Sequence, residues 1–180
     1  MIKTIAKTII KILYPPVCPI CNEVQPQMLT DDGTGQICSG CRTHIRRVES
    51  PYCMRCGKPL AQLHMGMEYC EDCSRRKHSF TQGRAAFVYR GAMIGTMHRF
   101  KYSNRRDYAP ALAREAYGMH ADWLGRIRPQ MIVPVPLHPA RRRTRGYNQA
   151  ELLAEEVSRL SGIPMDADLL IRTHNTDRQR

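Results

Sequence analysis

All eight cysteines of the chain lie between Cys18 and Cys73, and each belongs to a C-x-x-C pair: Cys18 with Cys21, Cys38 with Cys41, Cys53 with Cys56, and Cys70 with Cys73. Two residues between thiolates let one tight turn present both sulfurs to a single metal, with the turn's amides placed to hydrogen-bond the sulfurs. Two such pairs complete a tetrahedron. Gaps of 16 residues between the first two pairs and 13 between the last two have the length found in zinc ribbons. The pattern predicts two structural Zn2+ ions, each held by four thiolates and with no open position for substrate. Sequential pairing puts Cys18, Cys21, Cys38 and Cys41 on one ion and Cys53, Cys56, Cys70 and Cys73 on the other. A cross-braced pairing satisfies the same spacing. Thioredoxin-like redox chemistry calls for one C-x-x-C opening a helix after a strand, not four in a row, and the spacing lacks the ferredoxin run.

Residues 17–75 contain turn formers such as Gly33, Gly40, Pro51, Gly57 and Pro59 and no long apolar period. Such a segment buries little apolar surface, so bound metal has to stabilise it. The N-terminal stretch has Ile2, Ile5, Ile9 and Ile12 on one helical face and Lys3, Lys7 and Lys11 on another, which predicts an amphipathic helix over residues 2–13, ended by Tyr14-Pro15-Pro16. Either it docks on its own domain or it makes weak contact with an anionic membrane surface. The lysines interrupt any secretory apolar core, and no apolar run reaches the roughly 18 residues of a membrane span. A cytoplasmic, metal-binding protein is therefore expected, rather than a disulfide-bonded one.

The formal net charge is +12. Each zinc with four thiolates carries about −2, which brings the total to about +8. From Thr81 onward there are sixteen arginines and one lysine, Lys101. Arginine forks match phosphate, so the bias points to phosphate-bearing partners, although a codon preference would produce the same excess. Nearer the cysteines, Arg42, His44, Arg46, Arg47, Arg55, Arg75, Arg76 and Lys77 offer a second basic surface for nucleic acid.

The pattern changes from residue 84. Residues 85–89 read as a strand, 92–102 and 107–125 as helices, 131–135 as a strand, 149–160 as a helix and 169–172 as a strand. Trp123 falls on the apolar face of the second helix and is expected in the core. Alternating strands and helices predict an α/β domain with a parallel sheet, incomplete after two or three strands. The domain reading is 1–16 for the N-terminal helix, 17–80 for the double zinc ribbon and 81–180 for the partial α/β domain. Between the 131–135 strand and the 149–160 helix lies a polar stretch, His138 to Tyr147, read as a basic loop. Arg145, Gly146, Asn148 and Gln149, where this loop meets a helix N-terminus, form a candidate anion site. Arg141, Arg142 and Arg143 are candidates for nucleic-acid or phosphate contact, against the plain alternative of a solvated arginine-rich loop. His98 and His138 lack a paired carboxylate or nucleophile, and His138 is read as a cap or phosphate contact. Asp166 and Asp168 are read as turn residues.

The four C-x-x-C pairs, Phe100-Lys101-Tyr102, the run Val133-Pro134-Val135-Pro136-Leu137-His138, then Arg145-Gly146-Tyr147-Asn148-Gln149 and Leu170-Ile171-Arg172-Thr173 together resemble the ComF family of competence-associated proteins. The resemblance covers nearly all of residues 1–180. It implies a double zinc ribbon followed by a type I phosphoribosyltransferase-like domain that uses phosphoribosyl pyrophosphate with Mg2+. It also implies a role in handling incoming single-stranded DNA, with competence-machinery proteins as partners. By the same resemblance, Arg145, Gly146, Asn148 and Gln149 sit near the pyrophosphate. The family's phosphoribosyl loop has two adjacent acids after an apolar strand. Here the only Asp-Asp pair, Asp31-Asp32, lies inside the first ribbon. The chain is therefore read as truncated before that loop and inactive as a transferase. The alternative is a non-catalytic zinc-ribbon adaptor that binds single-stranded nucleic acid or a competence-machinery protein.

Overall fold

A computed structural model describes residues 15–24, 36–60 and 66–176. The expected helix at 2–13 and the Asp31-Asp32 turn lie outside these residues. The described helices are α1 (Ser39–Arg42), α2 (Glu71–Arg75), α3 (Ala92–Tyr102), α4 (Ala109–Ile127), α5 (Pro139–Arg145) and α6 (Gln149–Ser161), with a 3-10 turn at Arg106–Tyr108 leading into α4.

The cysteine-rich segment repeats one local plan twice. Val17 bridges Val24 around Cys18 and Cys21, and Tyr52 bridges Pro59 around Cys53 and Cys56, both antiparallel. In each hairpin the residue after the second cysteine is left-handed: Asn22 at φ 66° and Gly57 at φ 74°. Asparagine and glycine are the residues that adopt this conformation most readily. Gly57 has a second reason to be glycine, because a Cβ there would lie 2.9 Å from the backbone of Arg84 and Ala85. The other two pairs open short helices, with Cys38 before α1 and Cys70 before α2.

Three expected helices form. α3 begins and ends at the expected residues, α6 runs one residue further, and α4 starts two residues later, after the 3-10 turn. Pro110 suits the first turn of α4, where its missing N–H is not needed. The basic loop does not form. Residues 139–145 are helical, capped by His138, whose Nδ1 accepts from Ala140 N at 3.3 Å, and ended by Gly146 at φ 83°. Alanine and arginine favour helix, and the proline and glycine at the two ends fix its limits.

The expected strands reduce, among the described residues, to isolated bridges. Residues 85–89 pair antiparallel with the ribbon rather than with a sheet: Arg47 bridges Phe87, Val48 N donates to Ala86 O and Val88 N to Arg46 O. Ile132 makes one parallel bridge to Met165, with Ile132 N bonded to Pro164 O at 2.8 Å and Asp166 N to Ile132 O at 3.1 Å. Pro134 and Pro136 remove the next alternate donors, so the ladder cannot extend. Residues 169–172 form no strand. Asp166 Oδ1 accepts from the amides of Asp168 and Leu169, as expected of a turn residue, and Ile171 is left 80% exposed.

One apolar core joins the first cysteine module to the helices. Val17, Ile20, Ile37 and Ile45 pack with Met93, Phe100, Tyr108, Leu112 and Tyr147. Burying a side chain such as Phe100 fully contributes about 2–3 kcal/mol. The second module has its own small cluster of Cys53, Cys70 and Cys73, with Cys56 and Leu60 against it. α4 packs along α6. Trp123 is only half-buried, contrary to its expected core position. It closes over the segment leading out of the second module, donating Nε1 to Gln82 Oε1 at 2.6 Å with the Arg84 guanidinium 5.6 Å above its ring.

Candidate metal centres and phosphate cleft

The sulfurs of Cys18, Cys21, Cys38 and Cys41 lie within 4.8 Å of one another, and so do those of Cys53, Cys56, Cys70 and Cys73. Pairing is thus sequential, and the cross-braced alternative is set aside. Four convergent thiols with no further ligand are the donor set of a structural Zn2+, which fixes the hairpin against the short helix that follows it. The first cysteine of each set is shifted toward its thiolate form. Burial raises Cys53, but the amides of Cys56, Cys70 and Arg55 outweigh it and bring the thiol down to about 6. Cys18 is lowered in the same way: burial opposes, and the amides of Cys21, Cys38 and Ile20 prevail. Without metal, burial and neighbouring sulfurs push Cys41 and Cys73 upward, Cys73 to about 12. Four like charges in one site require the cation to hold them all.

The second centre carries one neighbour that cysteine spacing does not announce. His78 Nε2 lies 3.4 Å from Cys73 Sγ, and its ring is stacked 5.0 Å from Phe80. A neutral imidazole donating there would spread the thiolate charge. The only hint in the sequence is a histidine five residues beyond the last cysteine.

Several of the basic residues near the ribbon are committed internally. Arg42 and Arg47 both reach Glu115 on α4, at 2.8 and 2.9 Å. Arg75 pairs with Glu71, and Arg55 lies 5.2 Å over the Tyr69 ring. The concentrated unneutralised charge lies elsewhere, in a cleft of about 550 Å³ between the end of α3 and α5. Lys101, Tyr102, Asn104 and Arg106 form one wall, and Arg141, Arg143, Thr144, Arg145 and Gly146 form the other. Among the described residues, five cations line it and no carboxylate does.

The structure divides the expected anion-site residues. Arg145 and Gly146 line the cleft, with the Arg145 guanidinium 5.1 Å over the Tyr102 ring. Arg141 and Arg143 line it too, whereas Arg142 pairs with Glu151 at 3.1 Å. Asn148 and Gln149 are buried and serve the fold. Asn148 caps α6 through Ala150 N and donates to Val135 O, and Gln149 Oε1 accepts from Arg145 at 2.6 Å. Gln149 thereby steadies a cleft arginine. His98 lies outside the cleft lining, with its ring 4.9 Å from Tyr102. Lys101, Asn104 and Arg106 are site residues that sequence reasoning misses, since they lie some forty residues before α5. They join the site because Arg106 donates to Gly146 O at 2.8 Å and stacks over Tyr147 at 5.0 Å. Among the described residues, no helix is long and apolar enough to cross a membrane.

Residues 9–74 match the double zinc ribbon domain. The chain is 32% identical over 147 residues to Competence protein F of Haemophilus influenzae, covering 80% of this chain and 62% of that protein. It is 29% identical over 149 residues to Competence protein ComFC of Bacillus subtilis, covering 78% and 57%. It is 30% identical over 168 residues to DNA utilization protein YhgH of Escherichia coli, covering 92% and 70%. No solved structure matches the chain. The chain thus spans between 57% and 70% of the length of these relatives. With four sequentially paired C-x-x-C knuckles and this identity over most of the Escherichia coli protein, the chain belongs to the ComF family.

Proposed function

We propose that the chain acts in DNA uptake as a zinc-stabilised module that binds single-stranded DNA by its phosphates in the cleft between α3 and α5. The observation that carries this reading is the cleft's composition: among the described residues, five cations, an exposed tyrosine and no carboxylate. Phosphates neutralise such a surface by releasing counterions, and single strands bend into a concave site that a stiff duplex does not enter. The relatives' names, competence protein and DNA utilization protein, agree with this chemistry. A cytoplasmic location and partners among the competence machinery follow from the same reading.

A second reading has one specific support. Ile132 and Met165 pair in parallel with α5 and α6 between them, which is the crossover a parallel pair needs. In that reading residues 81–180 belong to a type I phosphoribosyltransferase-like α/β domain, and Arg145 and Gly146 stand near a pyrophosphate. Phosphoribosyl pyrophosphate with Mg2+ also needs acids for the ribose hydroxyls, and none lines the cleft among the described residues. Phosphate binding in the cleft is therefore the function proposed for this chain.

Fluorescence anisotropy with a labelled single-stranded oligonucleotide, across a salt series, tests the proposal. Binding should weaken as salt rises. Arg141→Ala with Arg143→Ala should reduce the log–log salt slope by about 0.7 for each phosphate left without its arginine. Salt-independent binding, or an unchanged slope in the double variant, would refute it.

A further inference from the structure

The hairpin turn between Cys18 and Cys21 is held from the helical side. Arg99, in the last turn of α3, donates Nη2 to Pro19 O at 3.0 Å and to Ile20 O at 2.8 Å. Thr96, fully buried, donates to the same Pro19 oxygen at 3.0 Å. Asn22, the left-handed residue after Cys21, accepts through Oδ1 from the Tyr108 hydroxyl at 2.7 Å and from Arg105. Arg99 Nε closes the circuit by donating to Tyr108 Oη at 3.1 Å. Four chain segments, the knuckle, α3, Arg105 and the 3-10 turn before α4, are thus tied through two guanidiniums, one amide and one phenol.

The span from Arg99 to Tyr108 is also one wall of the cleft, because Lys101, Tyr102, Asn104 and Arg106 lie inside it. That wall is joined to the opposite one by Tyr147 donating to Phe100 O and by Arg106 donating to Gly146 O. The second module has a different neighbour. Its bonds from the following segment run from Gln82, Gly83 and Arg84 to Met54 O and Arg55 O, away from the cleft. Pro19 and Ile20 sit between two metal-ligating sulfurs, so closing the knuckle on a metal fixes where their carbonyls lie. A planar guanidinium bonded to both carbonyls registers their placement, which a single ammonium point charge would not do.

We propose that Arg99 is a positioning residue for phosphate binding: with the first knuckle closed on its metal, Arg99 and Tyr108 hold residues 99–108 against it, so that Lys101 and Arg106 face the cleft in one arrangement. The inference rests on the phosphate-binding reading of the cleft and gives the first zinc centre a role in that site. Arg99 contacts no ligand itself.

The test uses the zinc-loaded full chain with two readouts: anisotropy with a labelled single strand, and hydrogen exchange over residues 99–108. Arg99→Ala and Asn22→Gly, which keeps the left-handed turn, should each weaken binding about five- to tenfold, within the usual range of coupling between sites. Zinc content and salt slope should stay at wild-type values, since every cleft cation remains in place, and exchange over 99–108 should quicken. Arg99→Lys should recover little of the affinity. Arg143→Ala provides the contrast, lowering the salt slope without changing exchange at 99–108. If Arg99→Ala does not fold, Asn22→Gly carries the test, because the Asn22 side chain is exposed and glycine accepts the left-handed backbone there. Wild-type affinity and exchange in the variants that fold would overturn the inference. A wild-type chain that binds no strand would remove the DNA reading, and exchange at 99–108 would then decide the coupling by itself.

Discussion

The two cysteine modules share one local design and differ in what surrounds it. Each has a bridged hairpin, a left-handed residue after the second cysteine, and a short helix carrying the other pair. The first is built into the main core, where Val17, Ile20, Ile37 and Ile45 meet α3 and α4. Among the described residues, the second has essentially its own cysteines and Leu60 for a core. Metal ligation therefore does different work in the two places. In the second module it replaces a hydrophobic core, and in the first it completes one that also holds helices. The same spacing code, read twice along the chain, yields one nearly autonomous module and one structural joint.

The largest expected effect comes from removing both metals. Structural zinc contributes about 10–16 kcal/mol in small domains. A strong chelator should expose the whole second module to protease while α3, α4 and α6 retain part of their helicity. Loss of protection spread evenly over both modules would break the comparison. Phe100→Ala comes next. It empties a fully buried position in the shared core and should cost about 3–5 kcal/mol, lowering the melting temperature while leaving metal retention at the second centre unchanged. Calorimetry with zinc-release kinetics would check both halves.

A smaller effect concerns Glu115, which receives Arg42 from α1 and Arg47 from the segment after it. Both arginines are partly solvated, so Glu115→Gln should cost only about 1–2 kcal/mol, and a denaturant titration should show it at the first module but not the second. His78→Ala should speed zinc loss from the second centre about tenfold, with His78→Gln recovering part of the retention through its own N–H donor. Transfer to a chromophoric chelator would resolve the two ions, and equal release rates in wild type and variant would deny His78 any part in holding the metal.

The smallest effect is on pH dependence. Burial, opposed by backbone bonding at Ala85, lowers His120 below its ordinary value. The fold favours the neutral ring, so its contribution is complete above about pH 6.5 and declines as acidification protonates the ring. Melting temperatures between pH 7.5 and 5 should fall slightly more in wild type than in His120→Asn.

Much of this is legible in the chain itself. The cysteine spacing identifies the ligands because tetrahedral coordination by two tight turns leaves few alternatives. The apolar periods of α3 and α6 locate those helices to within a residue. α5 escapes such a reading because Arg141-Arg142-Arg143-Thr144-Arg145 has no apolar face, although Pro139 and Gly146 mark its ends. Asn148 and Gln149 look like ligand contacts, since polar residues at a helix N-terminus suit anions equally well as caps. Only the fold reveals that both are buried. The strands mislead for a related reason. Val133 and Val135 have strand character, but pairing depends on donors that Pro134 and Pro136 lack. The link from Arg99 to Pro19 spans eighty residues and leaves no local trace.

The central claim is that the first metal centre belongs to the helical body and the second does not. The most direct measurement compares thermal unfolding, followed by helical circular dichroism, of Cys41→Ser and Cys73→Ser. Cys41→Ser should lower the helical transition by many degrees, whereas Cys73→Ser should leave it close to wild type. Equal shifts in both variants, or a larger one in Cys73→Ser, would contradict it.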